Sequence, residues 1–223
     1  MLSKSDLRNA IASKNRGIAA TENDRKVIAS IIARVEDANP TPDPLSAVEL
    51  LRGDWRLLYT TSAELLGIDR FPLASLGEIY QCIRPESSRI YNIAELNSLP
   101  FVDGLVSVVA SFEPAQSTNE TVWPGADSPS TVATSASVAA LQPTRRVNVH
   151  FERAVFGLQR SLGYQSPGQY IQQLESKAKF NWLQGVDFAI NPNREPGWLE
   201  ITYLDADLRI GRGNQGNLFV LTK

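Results

Sequence analysis

The chain has 223 residues, 43% of them hydrophobic, with 22 basic against 24 acidic side chains and a net charge of -2. That composition supports a folded core and argues against a domain that binds nucleic acid by neutralising phosphates. One cysteine (Cys82) and one histidine (His150) leave no intramolecular disulfide, no cysteine-based zinc site and no His-rich metal centre, so neither a cofactor nor a metal is expected.

The opening MLSKSDLRNAIASKN reads as a polar amphipathic helix start, without the continuous apolar stretch of a secretory signal. No run approaches the roughly 20 apolar residues that span a bilayer, so any membrane association is expected to be peripheral. Ser3 with Asp6, and Thr21 with Asp24, each place an acid three residues after a helix-capping side chain. The first helix is expected to end near Gly17. The second carries Val27, Ile28, Ile31, Ile32 and Val35 on one face, expected to pack on the rest of the protein. Asn39-Pro-Thr-Pro-Asp-Pro44 then forbids helix. The organisation expected is a helical segment over 1–39, a Pro-rich connector over 40–52 and a β domain over 53–223.

From Gly53 the apolar period changes to two. Val147, Val149 and Phe151 alternate with Asn148, His150 and Glu152, and a blurred form of the same signal covers 106–112. Further strands are expected at 54–60, 77–83, 89–96, 131–141, 180–190, 198–204, 208–212 and 217–221, with a short late helix from Ser166 to about Lys177. Short strands joined by turns, with little helix between them, favour a closed antiparallel β-barrel over a parallel sheet. The stretch 113–130, rich in Pro, Ser and Thr around Trp123, reads as a long mobile loop.

Within such a barrel, Gly53-Asp-Trp55 opens the first strand. In lipocalin-like barrels a Gly-x-Trp at this point closes the floor, with a late-strand arginine over the indole. Arg209 and Arg212 can each supply that arginine. Grouping Arg212 with Leu208 and Ile210 as the inward face makes Arg212 the first choice, with a lipid carboxylate or head group as its alternative partner. Trp55, Tyr59, Tyr80, Tyr91, Phe151 and Tyr203 are the expected lining or floor residues of an apolar cavity. Leu65, Leu66, Ile68, Phe71 and Leu73, in the connection after the first strand, and Phe101, in another, are unusually apolar for loops. They are expected either to contact a membrane at the barrel mouth or to form a lid over it. Asp205 and Asp207 flank a tight turn, which explains them better than acid-base chemistry does. No catalytic set emerges.

The residues also carry a resemblance. Asn15-Arg-Gly17, the connector 39–44, LLRGDWRLLYTTSAELLG at 50–67, GEIYQCI at 77–83 and above all GWLEITYLDADLRIGRGNQGNLFVLTK at 197–223 resemble the plastid lipid-associated protein family, the fibrillins or plastoglobulins. The resemblance implies a lipocalin-like antiparallel barrel, here behind an N-terminal helical segment, in a protein peripheral to thylakoids or plastid lipid bodies; with no obvious nucleophile in the sequence, it is expected not to be an enzyme. It further implies handling of carotenoids, quinones or other prenyl or acyl lipids, and a link to photoprotection. Because the sequence given starts at the helical segment, it looks like a cyanobacterial member on the cytoplasmic thylakoid face, or like a plastid member without its leader. A coat protein with a filled barrel is the rival reading, and a lipocalin-like pigment lyase or cyclase a further one.

Overall fold

The structure is a computed structural model that describes residues 3–66, 75–98, 102–115, 145–176, 179–191, 193 and 195–223. Two capped helices come first, α1 (Lys4–Ala12) and α2 (Glu22–Glu36), each started by the expected capping box. Ser3 Oγ accepts from the Asp6 N–H while the Asp6 carboxylate accepts from the Ser3 N–H, and Thr21 and Asp24 repeat the arrangement. The first helix stops at Ala12 rather than near Gly17. The chain turns there through left-handed Asn15, Arg16 and Gly17, and Arg16 bridges to Tyr59 of the first strand.

After a single helical turn, α3 (Val48–Leu51), the described residues form nine strands: β1 (Gly53–Thr60), β2 (Ser75–Arg84), β3 (Arg89–Asn97), β4 (Gly104–Pro114), β5 (Arg146–Leu158), β6 (Gly185–Ala189), β7 (Gly197–Leu204), β8 (Leu208–Gly213) and β9 (Leu218–Thr222). Short helices α4 (Ala63–Leu66), α5 (Gln159–Leu162) and α6 (Pro167–Ser176) interrupt them, α6 lying where the late helix is expected. Among the described residues every pairing between these strands is antiparallel. Eight strands close in the ring β1-β2-β3-β4-β5-β7-β8-β9, with β9 returning to β1. Closure leaves these strands no free edge, which is how an antiparallel sheet of this size avoids edge-to-edge association.

The ninth strand lies outside the ring. β5 pairs with β4 along its length, but its other edge is shared, Arg146–Val149 going to β7 and Arg153–Gly157 to β6. Where β5 and β6 approach most closely, Gly157 faces Gly185, and a Cβ on either would sit within 2.7 Å of a carbonyl oxygen across the pair. β6 is shorter than the expected 180–190 strand, because Asn181–Gln184 turns on the Asn181 side chain. β4 runs through Glu113 and Pro114, where a loop is expected, while the rest of that loop and the expected strand at 131–141 lie outside the described residues.

Among the described residues three apolar clusters result. One lies inside the barrel and includes Trp55, Leu57, Ile83, Ile90, Leu199 and Leu221. The other two lie on its outer surface. α1 and α2 bury Leu7, Ile28, Ile32 and Val35 against Tyr59, Tyr203, Leu208 and Ile210. α6 buries Tyr170, Ile171 and Leu174 against Cys82, Tyr91, Ile93 and Leu105. Much of the barrel wall is therefore apolar on both faces.

Candidate functional site

The inward face follows from register. Trp55 is fully buried on β1 and pairs with Gln81; Gln81 pairs with Asn92, and Asn92 with Val108. Directly opposed residues share a face, so these four form one inward tier. Ile79, Ala94 and Val106 lie on the same face one step toward the mouth, and Val149, Phe151, Leu199, Phe219 and Leu221 complete the wall.

The floor is built on Trp55. Gly53 adopts φ +147, a backbone conformation that side chains disfavour, as the chain swings from α3 into β1. The indole Nε1 donates to the Leu51 carbonyl at 2.9 Å, tying the ring to α3 beneath. The Arg209 guanidinium lies 5.1 Å from the ring centroid and Lys223 Nζ 4.9 Å, both within cation–π range. Arg209 is only 1% exposed and donates to Gln81 Oε1, and Gln81 Nε2 donates to Asn92 Oδ1 at 3.1 Å. Arg209 Nη1 has no hydrogen-bond partner among the described residues. Burial pushes the Arg209 pKa down to about 9, which still leaves the group charged at neutral pH.

Above this floor is a cavity of about 720 Å³. Its walls are mostly aliphatic and aromatic, its polar side chains include Gln81 and Asn92, and Leu65, Trp198, Asn214 and Asn217 stand at its mouth. That size and lining suit a lipophilic small molecule with few polar groups. A second depression of about 680 Å³ lies outside the barrel between α1 and β1, lined by Arg8, Arg16, Arg56, Asp207 and Lys223 among others, and lacks such walls.

Several expectations need correction. The arginine over Trp55 is Arg209, not Arg212. Arg212 is on the outer face, where its Nη2 meets Glu36 Oε2 of α2 at 2.7 Å. Leu208 and Ile210, expected on the same inward face as Arg212, point outward into the helical cover. The same cover claims Tyr59 and Tyr203, which pack beneath α1 and α2 instead of lining the cavity. Tyr91 faces α6 and donates to Glu175 Oε1 at 2.7 Å, and burial followed by that carboxylate pushes its pKa up. Tyr80 borders the cavity but packs with the α6 cluster.

Of the expected lining set, Trp55 and Phe151 are on the inward face. Leu65 lines the mouth and Leu66 falls in α4, whereas Ile68, Phe71, Leu73 and Phe101 lie outside the described residues. Sequence reasoning overlooked Gln81 and Asn92. The signal was there: each is a polar residue at the inward phase of an otherwise apolar alternation, Ile79–Ile83 and Ile90–Ala94.

An exposed apolar surface was also overlooked. Phe156, Val186 and Phe188 share one face where β5 meets β6, and Leu183 and Trp182, in the turn just before β6, are also exposed, Trp182 by 85%. Phe156 pairs with Val106 of the cavity wall, so the barrel's inner face runs outward onto β6. Among the described residues no helix is long and apolar enough to cross a membrane, and no group of three His, Cys, Asp or Glu side chains is placed to hold a metal ion.

The PAP_fibrillin family model matches this chain over residues 1–122 and 118–222. Plastoglobulin-1, chloroplastic, of Pisum sativum is 33% identical over 99% of the chain. Probable plastid-lipid-associated protein 3, chloroplastic, of Arabidopsis thaliana is 34% identical over 97%, and the chromoplast-specific carotenoid-associated protein of Cucumis sativus is 28% identical over 94%. The chain spans 60%, 56% and 63% of the length of these three relatives. No solved structure matches.

Proposed function

The chain belongs to the PAP_fibrillin family, and on that premise we propose that it binds a lipophilic molecule in its barrel cavity, without chemical turnover, while peripherally attached to a lipid surface. The observation that carries this reading is the cavity itself, about 720 Å³ of mostly apolar wall over the Trp55 floor. A barrel serving only as scaffold gains stability from filling such a space with its own side chains, since a large void forfeits dispersion contacts. The ligand class is a carotenoid, a quinone or another prenyl or acyl lipid, a reading supported by relatives named for plastid lipid and for carotenoid association. The surface is a thylakoid or lipid-body surface, and the role there supports photoprotection.

The exposed apolar side chains of Phe156, Val186 and Phe188, with Leu183 and Trp182 in the turn just before β6, favour attachment, because clustered apolar surface rarely faces water without a partner. It also favours the second reading, a coat protein whose barrel carries nothing. Native mass spectrometry with solvent extraction, on protein purified from a photosynthetic host, separates the two. A stoichiometric lipophile is expected. An empty protein that still binds vesicles of thylakoid lipids would replace the carrier reading with the coat.

A further inference from the structure

We propose that the cavity takes a long-chain carboxylate head-down, its acid group received by the Asn92 amide with the Arg209 charge behind it; this rests on the carrier reading above.

The argument begins with hydrogen-bond direction. A guanidinium only donates, so the oxygen of the Gln81 amide must face Arg209. The Gln81 nitrogen therefore faces Asn92, where it meets Oδ1 at 3.1 Å. With its oxygen engaged, Asn92 presents its Nδ2 donors. Gln81 and Asn92 both line the cavity, so the relay runs from a buried cation to a pair of N–H donors at the level of the floor. Each amide dipole points its positive end away from Arg209, and successive bonds of this kind polarise one another.

Arg209 has no acidic counterpart among the described residues. Support of the Trp55 ring accounts for its contact with the indole, but not for a buried Nη1 without a partner, nor for a relay leading toward the cavity. An apolar side chain could plug the floor without the desolvation cost of a charge. A carboxylate brought in by the ligand offsets that cost and uses the donors. The aliphatic wall above, with Val106, Val149 and Leu221, takes the chain. The preference is thus for a lipid with an anionic end over one with a neutral end of equal length.

The test is equilibrium binding of radiolabelled palmitate and radiolabelled hexadecanol, below their critical aggregation concentrations, to the delipidated full chain. Wild type is expected to bind palmitate at least about tenfold more tightly, the step associated with one hydrogen bond to a charged group. In Asn92→Leu and in Arg209→Met the ratio of palmitate to hexadecanol affinity should fall to about one. Arg209→Met removes part of the floor, so a failure of that variant to fold leaves the decision to Asn92→Leu, whose half-buried side chain belongs to the wall. Equal wild-type affinities, or a preference that survives in Asn92→Leu, overturns this seat and leaves the carrier reading standing. Binding of neither lipid by wild type overturns both.

Discussion

Arg212 of β8 grips Glu36 at the end of α2 through two parallel bonds, Nε to Oε1 at 3.1 Å and Nη2 to Oε2 at 2.7 Å. Thr202 of β7 adds a third donor to the same carboxylate at 2.5 Å. The helical pair is therefore fixed to the barrel by a directional contact as well as by the apolar stripe of α2.

Glu36→Ala should lower stability by about 1–2 kcal/mol, because three donors lose their acceptor while half-exposed Arg212 recovers part of the loss from water. Urea denaturation checks the magnitude, and a double-mutant cycle with Arg212→Ala should return most of the effect as coupling. Lipid binding should not change, since neither residue reaches the cavity.

Asp205 leads to a pH prediction. Its carboxylate accepts from Lys4 at 2.7 Å, from Tyr203 at 2.6 Å and from the N–H groups of Asp207 and Leu208. Burial, the largest single influence, pushes its pKa up, but these donors together outweigh it and hold the carboxyl below 3.8. A pKa depressed on folding contributes stability that is complete above the unfolded value and is lost as pH falls through the folded one. Wild type should exceed Asp205→Asn by about 1–2 kcal/mol near pH 7. The gap should narrow steadily below pH 3.8 in parallel urea titrations.

Cys82 is fully buried beneath α6, and burial, ahead of the nearby Asp54 carboxylate, pushes its thiol pKa well up. A thiol without thiolate character does not attack disulfide reagents. Native protein should leave an aromatic disulfide reagent unreacted at mildly alkaline pH, and urea-unfolded protein should release one equivalent of thiolate. Prompt reaction in the native state would show that α6 opens readily.

Trp182→Ser should weaken partition onto vesicles of thylakoid lipids by about tenfold, the worth of roughly 1.4 kcal/mol of lost apolar burial. Stability should stay within about 0.5 kcal/mol of wild type, as expected of an exposed position. Co-sedimentation and urea titration give the two readouts. Unchanged partition would remove this face from the attachment surface.

The fold was largely legible because its signals are local. Capping boxes at Ser3 and Thr21, a 3.6-residue stripe along α2 and a two-residue alternation through β5 each depend on neighbours within a few positions. The apolar Asn181–Phe188 stretch was less legible: a strand pattern does not reveal that β6 leaves the ring and keeps its apolar face exposed.

The amino-acid sequence by itself determined the helical start and the antiparallel strands, since these follow from spacing and chain stiffness, whereas the tryptophan at the floor is expected only by likeness to the Gly-x-Trp of lipocalin-like barrels. The sequence could not determine which face of the barrel is inside. Alternation sorts Leu208, Ile210 and Arg212 from Arg209 and Gly211, but normally the more apolar set would mark the interior. Here α1 and α2 cover the outer face, so Leu208 and Ile210 are buried outside the barrel. Arg209 is left inside, on Trp55. Only closure of the ring and docking of the helices settled that choice, because two buried faces remove the contrast with water by which a strand's inner side is otherwise recognised.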